Sequence, residues 1–396
     1  MFFSQKFVYF RLRLFMFFMF GPIALFLPYL PLYLQQSGFS PSEIGVLLTI
    51  GPVAAAVSNP FWGYVSDRLQ NVKLVLLVLM FGSLLSSQVL YNVGPFWGVF
   101  AAMIVFYLFN TAIMPINTSQ IFQTIEGTEQ RFGSFRIWGS IGYAVIVLAS
   151  GPILEAVGIG SVGWVYGAAM AIAILCGFLL HRPAAKARRR AGGITFRDSV
   201  RSSLRGPFAL FLAAALLIGI PNSVHALYMS LFLEELGGSP TSIGWSMFAA
   251  AVLEVPLFLL LDRWSKPNEQ SMLKLLLFAA VVYAVRWALM SVAATPLHVV
   301  LIQILHSFSF GFFIYTAAQM VEFLADRDYR ASGQTMYALV QGSLSMAIAG
   351  VIGGALYEAV GPRMLYMGCS FLSIAGLAVM YALRLSLDKK TPGPSA

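Results

Sequence analysis

Charge is what this chain has least of. Only 10% of its 396 residues are charged, against roughly 25% in an ordinary soluble domain. Hydrophobic residues make up 59%. A soluble fold of this length would not find enough polar side chains to cover itself, so a soluble enzyme is excluded and a polytopic membrane protein is expected. Cysteine is almost missing. Cys176 and Cys369 each sit in an apolar run, and without a CxxC or Cys/His spacing there is no disulfide scaffold and no zinc site. Neither HExxH nor a phosphate-binding loop is present, so the sequence offers no membrane-enzyme chemistry, and no metal or cofactor is expected. Long polar stretches are absent too: the longest, 181–206, leaves no room for a further soluble domain. The first apolar run, Leu14 to Leu34, is too long for a cleavable signal and ends in no small-residue cleavage site.

What the chain does have is apolar runs of spanning length. They lie near 14–36, 43–66, 74–92, 97–122, 136–156, 162–180, 207–233, 242–261, 272–293, 298–323, 335–356 and 364–385. In hydrocarbon the backbone must satisfy itself within each segment, so these are helices. All but two of the 25 basic residues fall in alternate loops, helix mouths and tails, the exceptions being Arg286 and Arg363. The positive-inside rule then puts both termini in the cytoplasm of a cell membrane. The formal net charge of +9 reports this orientation and not a nucleic-acid partner, because the basic residues are scattered among apolar runs. The basic linker Arg182 to Arg205 is expected to lie on the lipid surface, at about 1 kcal/mol per basic residue.

The chain repeats itself. Pro22 to Gly45 and Pro221 to Gly244 share nine of 24 positions without a gap, and Glu155-Ala156-Val157-Gly158 echoes Glu358-Ala359-Val360-Gly361. This reads as a six-helix duplication: residues 1–180, a cytoplasmic linker 181–206, residues 207–386 and a tail 387–396. An even number of spans per copy makes the halves parallel, the arrangement of transporters with a midplane site.

After span 2 the chain reads Gly63-Tyr64-Val65-Ser66-Asp67-Arg68-Leu69-Gln70-Asn71-Val72-Lys73, with Asp262-Arg263 after span 8. Arg131-Phe132-Gly133-Ser134-Phe135-Arg136 opens span 5, and Arg286-Trp287, Gln303-x-x-His306, Gly333-Gln334-x-x-Tyr337 and Leu356-Tyr357-Glu358 follow. These stretches resemble the major facilitator superfamily, and within it the phenylpropionate-permease-like branch related to lactose permease and nucleoside proton symporters. The resemblance implies twelve transmembrane helices in two parallel six-helix halves and proton-coupled uptake of a small organic solute. It also implies a loop gate of Gly63, Asp67, Arg68, Lys73 and Arg131. Gln70 departs from the motif's second glycine, and Thr118 and Ser309 stand where the sugar permeases carry glutamates, so lactose chemistry is not carried over.

Ionisable residues at membrane depth are costly, about 2.5–3.5 kcal/mol each on insertion scales, and mark pathways. Glu254 in span 8, Arg286 in span 9 and His306 in span 10 are the candidates for proton coupling. Glu254 and Arg286 are expected to face one another, as a fixed ion pair or as a switch in which substrate draws Arg286 away and the carboxylate takes up a proton. Arg136, Asn117, Thr118, Asn222, His225, Tyr228, Gln303 and His306 are the candidate substrate contacts; each has the alternative of serving as helix–helix glue, or for Arg136 as a snorkelling anchor. Arg136, Arg286 and Glu254 together leave the cavity at net +1, which favours a carboxylate-bearing, aromatic acid. A sugar or nucleoside, drug or metabolite efflux, and a non-transporting sensor are the rival readings. The expected partners are the solute, a proton and the bilayer, with the protein monomeric. If Glu254 carries the proton, Glu254→Gln exchanges substrate but does not accumulate it; full proton-driven accumulation by this variant in proteoliposomes refutes the role.

Overall fold

In the computed structural model the described residues are 2–182, 206–254, 256–257, 260–261, 268–325 and 330–388. The linker 183–205, Asp262-Arg263 and the tail from 389 lie outside them, as do the side chains of 2–4 and 330–332. The described residues are helical throughout and contain no strand. Before the linker come α1 (Phe2–Gln36), α2 (Pro41–Leu69), α3 (Val72–Leu90), α4 (Phe96–Ile125), α5 (Gly133–Val157) and α6 (Val162–Phe178). After it come α7 (Gly206–Glu235), α8 (Pro240–Val252), α9 (Glu269–Ser291) and α10 (Pro296–Leu324). The last apolar stretch, Gly333–Asp388, is 56 residues long, more than one crossing needs. Gly361, at φ 79 and ψ 166, breaks it into α11 (330–360) and α12 (362–388). Ten stretches are long and apolar enough to span. The break makes the last of them two, and α8, described as Pro240–Val252, lies where the remaining span is expected. This is an all-α membrane protein.

The helices begin where the sequence supplies caps. Ser40 and Glu43 form a capping box on α2, and Asn71, Asn268 and Thr295 cap α3, α9 and α10 through their side chains. Pro22, Pro28, Pro31, Pro52, Pro60, Pro115, Pro152 and Pro221 sit inside helices. Bundle neighbours and hydroxyls make this tolerable in a membrane.

The described residues gather into two units. The first comprises Met1–Arg189 with Leu233–Phe248. In it α1 lies against α5 and α6, α3 against α4 and α6, and α2 against α4. The α1–α5 approach is backbone to backbone: a Cβ on Gly142 would stand 2.1 Å from the Phe17 carbonyl oxygen. Phe15, Phe106, Phe135 and Tyr166 fill the interior, and a neutral network ties three helices, with Asn110 Nδ2 donating to Ser83 Oγ and Ser83 sharing a hydrogen bond with Tyr166. The segment 233–248 packs on α5 along a seam of small residues. A Cβ on Gly151 would lie 2.7 Å from Thr241 Cα, and one on Gly244 2.8 Å from the Val147 oxygen. The Tyr29 hydroxyl is shared between the Val147 and Pro240 carbonyls, Ser239 donates to Glu155 at 2.8 Å, and Gln36 donates to Glu234 at 2.9 Å.

The second unit comprises Arg190–Phe232 and Ala249–Ala396. Here α9 lies along Gly354–Asp388 and beside α10. Phe211, Tyr283, Trp287 and Tyr366 are fully buried. Three π turns interrupt its helices: Ser307–Gly311 in α10, and Leu339–Leu344 and Ala349–Gly353 in α11. Such turns recur at functional sites because they leave backbone groups open to other partners.

Gln70 ends α2 in the left-handed region, φ 48 and ψ 35, the conformation a glycine adopts freely. Its side chain compensates by donating to the Asp67 carbonyl. A β-branched residue there meets a penalty of about 1–2 kcal/mol. Gln70→Val is therefore expected to lower the thermal stability measured in detergent by that amount relative to Gln70→Gly.

Candidate functional site

The second unit holds a buried polar chain that crosses four helices. Its centre is Arg286 on α9, which is 0% exposed. The guanidinium donates through Nη2 to Gln303 Oε1 and through Nη1 to Ser309 Oγ at 3.4 Å, and its Cζ lies 4.4 Å from the centre of the Trp287 ring. Ser309 stands inside the α10 π turn and also bonds the Leu305 and His306 carbonyls. Gln303, on α10, passes its Nε2 to His225 Nε2 at 2.9 Å and to the Met229 sulfur at 3.0 Å. His225, on α7, meets the Tyr366 hydroxyl of α12 through Nδ1 at 3.0 Å. Tyr366 and Tyr283 each stack on Trp287.

The direction of each bond follows from donor inventory. Arg286 can only donate, so Gln303 receives with its oxygen and gives with its nitrogen. His225 Nε2 must then accept, which makes the imidazole neutral, with its proton on Nδ1 and donated to Tyr366. From Arg286 outward the chain Gln303–His225–Tyr366 thus has one consistent polarity, and Ser309 accepts from the other side of the guanidinium. Arg286 Nε is buried without a partner among the described residues, as is Trp287 Nε1. The two Arg286 hydrogen-bond partners among the described residues are neutral; Glu254 is half-buried in the span that follows α8.

The His306 side chain makes no hydrogen bond to this chain among the described residues, although its carbonyl accepts from Ser309. Its ring stacks on Phe310 at 5.0 Å, and its Nδ1 is buried without a partner. Gln303 is one turn away, but its amide is taken by Arg286, His225 and Met229. On α7 the remaining candidates bond into the same unit: Tyr228 donates to the Gly350 carbonyl in an α11 π turn at 2.9 Å, and Asn222 accepts from Tyr283 at 3.5 Å.

The other candidates belong to the first unit. Asn117 donates to the Met16 sulfur at 3.2 Å, and Thr118 bonds the Met114 carbonyl of its own helix. The Arg136 guanidinium lies 4.5 Å from the Phe20 ring centre and reaches Ser140 at 3.4 Å. Of the loop motif, Lys73 has a defined task. Its ammonium donates to the Phe178 and Leu180 carbonyls at 2.7 Å each, and Arg11 adds a bond to Leu179, so cations satisfy the C-terminal end of α6. Arg68 and Arg131 are exposed, and the space where a Gly63 side chain would start is open. Asp67 contributes the carbonyl that Gln70 binds. Tyr366 was absent from the expected set; a single tyrosine in an apolar span carries no pattern that separates it from packing.

Known proteins match over nearly the full length. The sequence profile described as the MFS_1 like family matches residues 9–368. The chain is 30% identical over 382 residues to the maltose permease of Geobacillus stearothermophilus, covering 95% of this chain and 93% of that one. It is 23% identical over 370 residues to a probable 3-phenylpropionic acid transporter of Escherichia coli, covering 90% and 92%. Among solved structures, that of the nucleoside transporter NupG superposes with a TM-score of 0.81 at 17% identity, over 95% of this chain and 99% of that one.

Because Gln303 holds a buried cation, its loss is expected to cost more than that of an ordinary intramembrane hydrogen bond. Gln303→Leu should lower stability by at least about 2 kcal/mol, against about 0.6 kcal/mol for Tyr228→Phe. Thermal unfolding of both variants in one detergent measures the difference.

Proposed function

Since the chain belongs to the MFS_1 like family of major facilitator membrane transporters, we propose that it carries a small organic solute together with protons into a bacterial cell. In this reading the halves 1–180 and 207–386 alternate access to a site at mid-depth, both termini are cytoplasmic, and the monomer is the working unit. No reaction is catalysed, and the protein is not an enzyme.

The observation that carries the substrate class is the Arg286 guanidinium, fully buried and held by two neutral groups. A cation removed from water retains a large unmet demand for a counter-charge. A solute carboxylate meets it through two parallel hydrogen bonds. Trp287, Tyr283 and Tyr366 surround the same point with rings, which suits an aromatic acid.

Gln303 supports a coupling mechanism. If His225 takes up a proton, both of its nitrogens become donors. The Gln303 amide then turns its oxygen to the imidazolium and its NH2 toward Arg286, ending the Arg286–Gln303 bond. One amide thus links a proton on α7 to the freedom of a cation on α9. Glu254 is assigned the role of proton carrier and His306 that of a second titratable group on α10; Asn222 and Tyr228, with Arg136, Asn117 and Thr118 of the first half, are assigned to solute contact. Lys73 and Arg131, with Gly63, Asp67 and Arg68, are assigned to the loop gate.

A sugar is the second reading. The likeness to the maltose permease favours it, and Gln303, His225 and Tyr366 are groups that bind hydroxyls. Uptake into proteoliposomes under an imposed pH gradient separates the two. Aromatic and aliphatic carboxylates are expected to accumulate, and Gln303→Glu, which gives Arg286 an internal carboxylate, to weaken that uptake at least about tenfold, or 1.4 kcal/mol. Accumulation that ignores the gradient removes proton coupling, and accumulation of maltose but no carboxylate establishes the second reading in place of the first.

A further inference from the structure

A cavity of about 700 Å³ opens between the first turns of α1 and the loop after α4, lined by Gln5, Lys6, Tyr9, Arg13 and Gly127 to Gln130. This is within the range of about 300–1,000 Å³ typical of small-ligand sites. The helical period explains its lining: Lys6, Tyr9 and Arg13 are three and four residues apart and share one face. Phe7 and Phe10, on the adjoining face, are 53% and 58% exposed. These turns lie at the N-terminal end of the first spanning stretch, just ahead of the apolar run that begins at Leu14, with exposed rings and cations side by side.

Two cations meet one carboxylate in this cavity, that of Glu129. Among the described residues neither Lys6 nor Arg13 makes an ion pair. Arg13 is fixed against the Phe135 ring, 5.6 Å from its centre, and its Nε is buried with no hydrogen-bond partner. Tyr9 adds a phenol hydroxyl to the lining, while the Thr128 hydroxyl donates to the Ile125 carbonyl. A cavity at the end of a spanning helix with surplus cations, a phenol donor and exposed rings beside it has the chemistry of a phosphodiester site.

We propose that this cavity binds the phosphate headgroup of an anionic membrane lipid, with Lys6 and Arg13 as its cations and Glu129 as the group that limits its affinity. The site is separate from Arg286 and does not depend on which solute is carried.

The test is thermal unfolding of the full-length protein reconstituted in vesicles of phosphatidylglycerol mixed with phosphatidylcholine, against phosphatidylcholine alone. The anionic lipid should raise Tm by roughly 2–4 °C. Lys6→Gln with Arg13→Gln should remove at least half of that rise, Lys6→Gln alone should reduce it, and Glu129→Gln should enlarge it. A purely structural role for these residues would not give opposite signs. The proposal is overturned if the cation variants keep the full rise, or if Glu129→Gln diminishes it. A second arm compares sodium phosphate with sodium chloride at equal ionic strength in detergent; an equal rise there assigns the site to a free anion and overturns the lipid.

Discussion

A guanidinium inside a lipid bilayer has no water to fall back on, and the second unit is organised around that fact. Arg286 takes its hydrogen bonds from Gln303 and Ser309 and lies over Trp287. Each of these choices constrains others. Gln303, once its oxygen is committed, fixes the tautomer of His225, and His225 fixes the role of Tyr366. Ser309 is reachable because α10 widens into a π turn at that level. Four helices are therefore registered against one another by the demands of a single charge. Breaking such an arrangement from either end leaves a buried ion short of partners, which costs far more than the sum of ordinary contacts.

The first unit solves its packing differently. Its interior polar groups are neutral, Ser83, Asn110 and Tyr166, and its cations sit at helix ends, where Lys73 and Arg11 meet the last carbonyls of α6. Close approach of α1 and α5 replaces specific side-chain bonding, since Gly142 admits the Phe17 carbonyl. With no hydrophobic drive between helices in lipid, small residues and a few hydrogen bonds supply the association.

Much of this is legible in the sequence, because the constraints that produce it are compositional. The number of spans follows from apolar length. The positions that mattered most in the second unit, Arg286, Gln303 and His225, stand out because a polar residue at membrane depth is conspicuous. What could not be read was pairing. Glu254 and Arg286 attract in any sequence argument, yet Arg286 bonds neutral groups on α10, a choice that depends on helix rotation. Rotation is hidden because the spans are apolar on most faces and because π turns insert a residue and shift the register beyond them. Tyr366 was missed for the same reason, and Lys73 was read only as a gate residue because helix-end carbonyls leave no trace in a one-dimensional pattern.

The seam between α5 and the segment 233–248 brings backbone against backbone at Gly151 and Gly244. At these two glycines there is no side-chain rotamer to lock, and the side-chain hydrogen bonds of Tyr29, Ser239 and Gln36 lie beside them. The specificity of the seam is written in missing atoms: a single added methyl at either glycine would hold the surfaces apart, while larger side chains nearby offer few means to tighten them.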